Sequence, residues 1–133
     1  MFDWSNLIDL AEEFLEHQTS INEEFIYRSV INRTYYGCHG SAIQNLDLRG
    51  HAIPDDRSVH TYAINAYKQS TQPQTRKIGM LLADMHHHRK CADYDVTGMI
   101  RRQPYSRVLC EDLIKSARKV CAALAASNPV VPR

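Results

Sequence analysis

The chain has 133 residues, 44% of them hydrophobic and 23% charged, with a formal net charge of +1. These are the proportions of one globular domain, and they exclude collagenous, disordered and disulfide-stapled classes. No apolar run approaches the roughly 20 residues that span a bilayer, and the acidic start Met1-Phe2-Asp3-Trp4 lacks the basic region of a secretory signal. No membrane partner is therefore expected. Cys38, Cys91, Cys110 and Cys121 show no Cys-x-x-Cys spacing and fall among apolar residues, which predicts reduced thiols and a cytoplasmic protein.

The charge is unevenly spread. Residues 1–24 hold seven acids and no Lys or Arg, so the remainder carries all 16 basic side chains against eight acids. Arg101, Arg102, Arg107, Lys115, Arg118 and Lys119 cluster late. Such a cluster is either a solvated helix face or an electropositive surface for nucleic acid, and charge alone does not choose between them.

Helical periodicity dominates. Asp3 or Ser5 is expected to cap a first helix with an apolar stripe of Leu7, Leu10, Ala11, Phe14 and Leu15. Ser20 with Glu23 reads as a capping box opening a long second helix. Its apolar residues are Ile21, Phe25, Ile26, Val30, Tyr36, Ile43 and Leu46, and it stops near Gly50, with Pro54 beyond. Asp56 or Ser58 caps a third helix to about Ser70. Pro73 suits the first turn of a fourth, which carries Ile78, Met80, Leu81, Leu82 and Met85 and ends near Ala92. Residues 93–103 read as a loop. Pro104 is expected to start a fifth helix through Val108, Leu109, Leu113, Ile114, Ala117, Val120, Cys121 and Leu124. The expected architecture is an all-α antiparallel bundle of four to five helices over residues 1–127, with 128–133 a flexible tail.

The second helix carries more polar groups between Arg28 and His39 than a core-filling helix needs. A guanidinium beside an imidazole is what RNA cleavage without a metal requires: a cation for the phosphate and a group to move the proton. On one helix, however, Arg33 and His39 point about 120° apart and stand about 9 Å apart along the axis. A two-fold dimer would bring a second copy of each into one cleft. Thr34, Gly37 and Ser41, with Gly40 adjacent, form a small-residue face suited to such an approach, or to a neighbouring helix of the same bundle. Asn32 lies seven residues before His39 on the same face and could orient it. Arg28 can pair with Glu24 one turn back or contact substrate. His86, His87 and His88 cannot converge on one ion, because consecutive helical residues diverge by about 100°. Asp84 and His88 could chelate weakly, but no third ligand is evident, so neither metal nor other cofactor is expected.

The segment from Ile31 to His39 resembles the second-helix signature of the HEPN superfamily, in its small stand-alone prokaryotic branch. Arg33-Thr34-Tyr35-Tyr36 followed by His39, and then Arg89 before Ala92-Asp93-Tyr94, match two motifs in order, and the resemblance covers roughly residues 20–125. It implies a HEPN-like helical bundle and a metal-independent endoribonuclease that works as a homodimer and leaves 2′,3′-cyclic phosphate ends. Arg33, His39 and Asn32 are then the catalytic set, and Arg28, Tyr36, His88 and Arg89 the substrate contacts. Tyr35, Asp93 and Tyr94 are structural. The implied setting is a toxin or defence module, with RNA as substrate and an antitoxin or regulatory protein as partner. HEPN toxins paired with nucleotidyltransferase antitoxins typically carry Tyr two residues after the His. Ser41 stands there instead, which argues against an antitoxin that modifies that tyrosine. The competing class is a non-catalytic HEPN module that binds a nucleotide or a protein.

Overall fold

The computed structural model describes residues 2–17, 22–96, 99–100 and 103–126. Among these residues, five helices pack around one core: α1 (Asn6–Glu16), α2 (Glu23–Leu48), α3 (Ser58–Lys68), α4 (Pro73–Tyr94) and α5 (Arg107–Ala126). The only sheet among the described residues is an antiparallel pair of two-residue strands, β1 (Met99–Ile100) and β2 (Gln103–Pro104), between α4 and α5. The fold is thus an all-α bundle. No helix among the described residues is long and apolar enough to cross a membrane.

The long α2 is the axis of the bundle. It packs extensively on α1, α4 and α5, and α3 packs mainly on α4. Neighbours on several sides explain why α2 has no single apolar stripe: Ile26, Val30, Thr34, Gly37, Cys38 and Ala42 are all buried, although they point in different directions. Phe25, expected in the core, is 52% exposed. In α1 the buried set is Ile8, Ala11 and Leu15, while Leu10 faces outward, so the real stripe is turned from the expected one.

Several helix ends follow from local chemistry. The N-cap of α2 is Asn22, whose side-chain oxygen accepts from the amides of Glu24 (2.8 Å) and Phe25 (3.3 Å). It supersedes the expected capping box, whose Ser20 lies outside the described residues. Helix α2 ends in a Schellman motif at Gly50, which sits at φ 87°. The His51 amide donates to the Leu46 carbonyl and the Gly50 amide to that of Asp47, satisfying two carbonyls that the helix leaves open. Pro73 occupies the first turn of α4 as expected. Helix α5, however, starts at Arg107 and not at Pro104, which instead pairs with Met99. The start is set by Ser106, whose hydroxyl accepts from the Leu109 amide at 3.1 Å. The tail 128–133, like Arg101 and Arg102, lies outside the described residues.

The small-residue face of α2 is occupied by the same chain. A Cβ on Gly37 would stand 2.6 Å from Ile8 Cγ1, and one on Gly40 would overlap the Trp4 indole. Thr34 is buried beneath the same surface. The expectation that the Thr34–Ser41 face meets a second copy is corrected at its glycines: Gly37 admits Ile8 of α1, and Gly40 admits the Trp4 ring just before that helix. Gly40→Leu and Gly37→Leu are expected to destabilise the fold, by about 1–3 kcal/mol, as overpacking does. Calorimetry checks the loss. Sedimentation should show no change of association state, because the face is internal.

Candidate functional site

Aromatic and basic side chains from three helices meet between α2, α3 and α4. His39 of α2, His60 of α3 and His86 of α4 form a ladder of stacked rings, with centroids 4.5 Å apart for the first pair and 4.8 Å for the second. Tyr35 lies against all three, 5.3–5.7 Å from each. Tyr36 stands edge-on to Tyr35, His39 and His60. The ladder opens into a cleft of about 600 Å³ lined by Tyr36, Arg57, His60, His86, Arg89, Lys90 and Tyr94.

Arg89 anchors the floor of this cleft. Its side chain is 9% exposed, and one guanidinium nitrogen lies 3.3 Å from Asp93 Oδ2. Its plane lies near the rings of Tyr35 and Tyr36, at 5.6 and 5.5 Å. Its Nε has no hydrogen-bond partner although it is buried. A buried charge with an unused donor is costly to hold.

The imidazoles are neutral at pH 7. His39 is held down at about 4, first by burial and then by the repulsion of His60, His86 and Arg89. His86 is also held at about 4, by burial and then by His60, Arg89, Lys90 and His87. His60 is lowered by burial, then by Arg89 and Lys90. Burial raises Tyr35, so its hydroxyl keeps its proton. That hydroxyl lies 2.6 Å from His60 Nδ1 and 3.4 Å from His39 Nδ1. It can donate to only one of them, and the other bond needs a ring protonated on Nδ1. One of the two rings is thereby held with a bare Nε2, the form a general base requires.

Arg33 does not join this cluster. It packs over the Phe14 ring of α1 at 5.2 Å, and one of its nitrogens donates to the Ser29 carbonyl. With Phe25, Arg28, Asn32 and Asp93 it lines a second cleft of about 590 Å³. Within one chain, then, Arg33 and His39 belong to different surfaces. Asn32 donates to both Asp93 oxygens, at 3.1 and 3.2 Å, and does not touch His39. Arg28 pairs with Glu24 at 2.8 Å and donates to the carbonyls of Ala92 and Asp95, closing the end of α4, with its guanidinium over Tyr105. Tyr94 is exposed at the rim of the first cleft.

The three consecutive histidines diverge as helix geometry requires. His86 joins the ladder, His87 approaches Cys91 Sγ at 3.7 Å, and His88 is buried with Nδ1 2.8 Å from the Asp84 carbonyl oxygen. His88 lines neither cleft. No group of three potential ligands is placed to hold a metal ion among the described residues. Two members of the late basic cluster are held in ion pairs: Arg118 binds Asp9 and Glu12 of α1, and Arg107 binds Glu111.

Sequence reasoning missed Arg57, His60, His86 and Lys90. One signal for His86 was available, since it precedes Arg89 by three residues and so shares its helix face. His60 comes from another helix, and no local spacing marks it. Searches of family models, curated proteins and solved structures return no match to this chain.

Proposed function

We propose that this protein is a metal-independent endoribonuclease of HEPN type, and that it cuts RNA in the cleft between α2, α3 and α4. The observation that carries the reading is the ladder of neutral imidazoles beside the half-satisfied Arg89. A phosphodiester entering the cleft meets Arg89, with Arg57 and Lys90 at the rim. His60, oriented by Tyr35, removes the proton from the ribose 2′-OH, whose oxygen attacks the adjacent phosphorus. Arg89 stabilises the charge that builds on the phosphate oxygens. The bond to the 5′ oxygen breaks, and His86 gives that oxygen a proton. His86 holds that proton because the phosphate anion, on entering the cleft, raises its proton affinity, so the ring first takes up a proton from solvent and then serves as the acid. The products are a 2′,3′-cyclic phosphate and a free 5′-hydroxyl. Arg33 and Asn32 are left outside the chemical step by this reading, and His39 supports the ladder from behind. The motif resemblance adds the setting: a homodimeric toxin or defence module restrained by an antitoxin or regulatory protein.

The test is cleavage of a single-stranded RNA with excess chelator present, followed by analysis of the product ends. Cleavage is expected to persist and to leave cyclic phosphate, and an RNA with 2′-deoxy at the cut site should resist. Loss of activity on chelation, restored by a divalent ion, would sink the mechanism.

A second reading is a non-catalytic HEPN module that binds a nucleotide. The separation of Arg33 from His39 within the chain favours it. Nucleotide binding without any RNA cleavage would select it.

A further inference from the structure

We propose that Cys121 and Cys38 form a redox-active thiol pair, which peroxide converts into a disulfide between α5 and α2. The inference is independent of the ribonuclease reading. Cys38 and Ser41 lie one turn apart on the face of α2 that meets α5, and Ala117 and Cys121 lie one turn apart on the facing side of α5. Cys38 Sγ is 3.5 Å from the Ala117 carbonyl oxygen, and Cys121 Sγ is 3.9 Å from Ser41 Oγ. These two crossed contacts set the two thiols beside each other in the seam between α2 and α5.

The pair is asymmetric in the way such chemistry needs. Cys38 is fully buried, whereas Cys121 is partly open to solvent. The neighbouring Cys38 thiol, and then Ser41 and Arg118, lower Cys121 below the usual thiol range, which favours its thiolate over that of Cys38. Cys38 itself is pushed well up, by the neighbouring Cys121 and then by burial, and stays protonated. Cys110 shows what an ordinary core thiol does here: it is buried against the Tyr27 carbonyl and held up at about 12.

The chemistry runs in two steps. The Cys121 thiolate attacks one oxygen of hydrogen peroxide. The O–O bond breaks, hydroxide leaves and is protonated to water, and Cys121 becomes a sulfenic acid. Cys38 then loses its proton and attacks the Cys121 sulfur, displacing hydroxide, which takes up that proton as a second water. Two thiols have lost two electrons, and peroxide has gained them. A dithiol reductant reverses the bond by exchange. Cys38 immediately precedes His39, so the disulfide ties down the turn of α2 that carries an imidazole of the ladder.

The experiment exposes the full chain to hydrogen peroxide and follows intact mass, free thiols and peptide maps. The expected result is the loss of two hydrogens, a fall from four free thiols to two, and a linked Cys38–Cys121 peptide pair that dithiothreitol releases. Cys121→Ser should lose the linkage. Cys38→Ala should stop at a Cys121 sulfenic acid that dimedone traps. Should Cys38→Ala fail to fold, the wild-type peptide map alone decides. The proposal is overturned if wild-type Cys121 stays reduced, if it proceeds to sulfinic acid without linkage, or if the cross-link joins other cysteines.

Discussion

Alanine in place of His60 or His86 is expected to slow RNA cleavage by about 10²–10⁴-fold, the usual worth of a positioned acid or base. Both rings line the cleft and are only partly buried, so their loss should move stability by about 1 kcal/mol. Arg89→Gln should slow cleavage roughly 10²–10³-fold through lost charge stabilisation. It should also weaken RNA binding in a salt-dependent way. Arg33→Ala supplies the contrast. Its side chain lies over Phe14 on the other surface, and it should cleave at close to the wild-type rate. Rates, affinities and melting temperatures measured on the wild type and these four variants decide the matter. The opposite pattern, with Arg33→Ala inactive and His60→Ala and His86→Ala active, would return catalysis to the Arg33–His39 pair and require a second copy of the chain to unite it.

Acid should weaken the fold well before its carboxylates titrate. His39 takes a proton at about 4 in the folded state, against 6.5 in an exposed chain. Above 6.5 the ring is neutral in both states and its contribution is fully present. As pH falls from 6.5 towards 4, the unfolded chain gains a proton that the folded ladder refuses, and stability is lost. The loss through His39 is at most about 3 kcal/mol, since each tenfold difference in proton affinity between the two states is worth about 1.4 kcal/mol. His86 and His60 act in the same direction from more exposed positions. Denaturant midpoints measured from neutral pH down to about 4 should fall for the wild type and fall less for His39→Gln. Parallel curves for the two proteins would show that the buried imidazole does not set the acid sensitivity.

The helices were legible wherever local chemistry sets them. Pro73 and Gly50 act through their own backbone preferences, and each marked its helix end correctly. The start of α5 lies beyond the expected Pro104, because proline is as much at home in a strand end as in a first helical turn, and the Ser106 hydroxyl sets the cap instead. The stripe of α1 was legible at Ala11 and Leu15 but not at Ile8, because Ile8, Leu7 and Leu10 are equally apolar and the close approach of α2 at Gly37 selects Ile8. The candidate site was half legible. Tyr35, Tyr36, His39 and Arg89 stood out as polar and aromatic residues in helices that needed neither. His60 could not, because its place beside them is a product of how α3 lies on α4, and no spacing along the chain encodes that.

Asp93 accepts from Arg89 on one side and from Asn32 on the other, so a carboxylate that lines the second cleft also holds a side chain of the first. An anion that draws the guanidinium of Arg89 towards itself leaves Asp93 held by Asn32 alone. Its negative field then falls more fully on the surface that carries Arg28 and Arg33. Were an anion in the first cleft to move Arg89 in this way, the second cleft would feel it through Asp93, and linkage would make the effect equal in both directions.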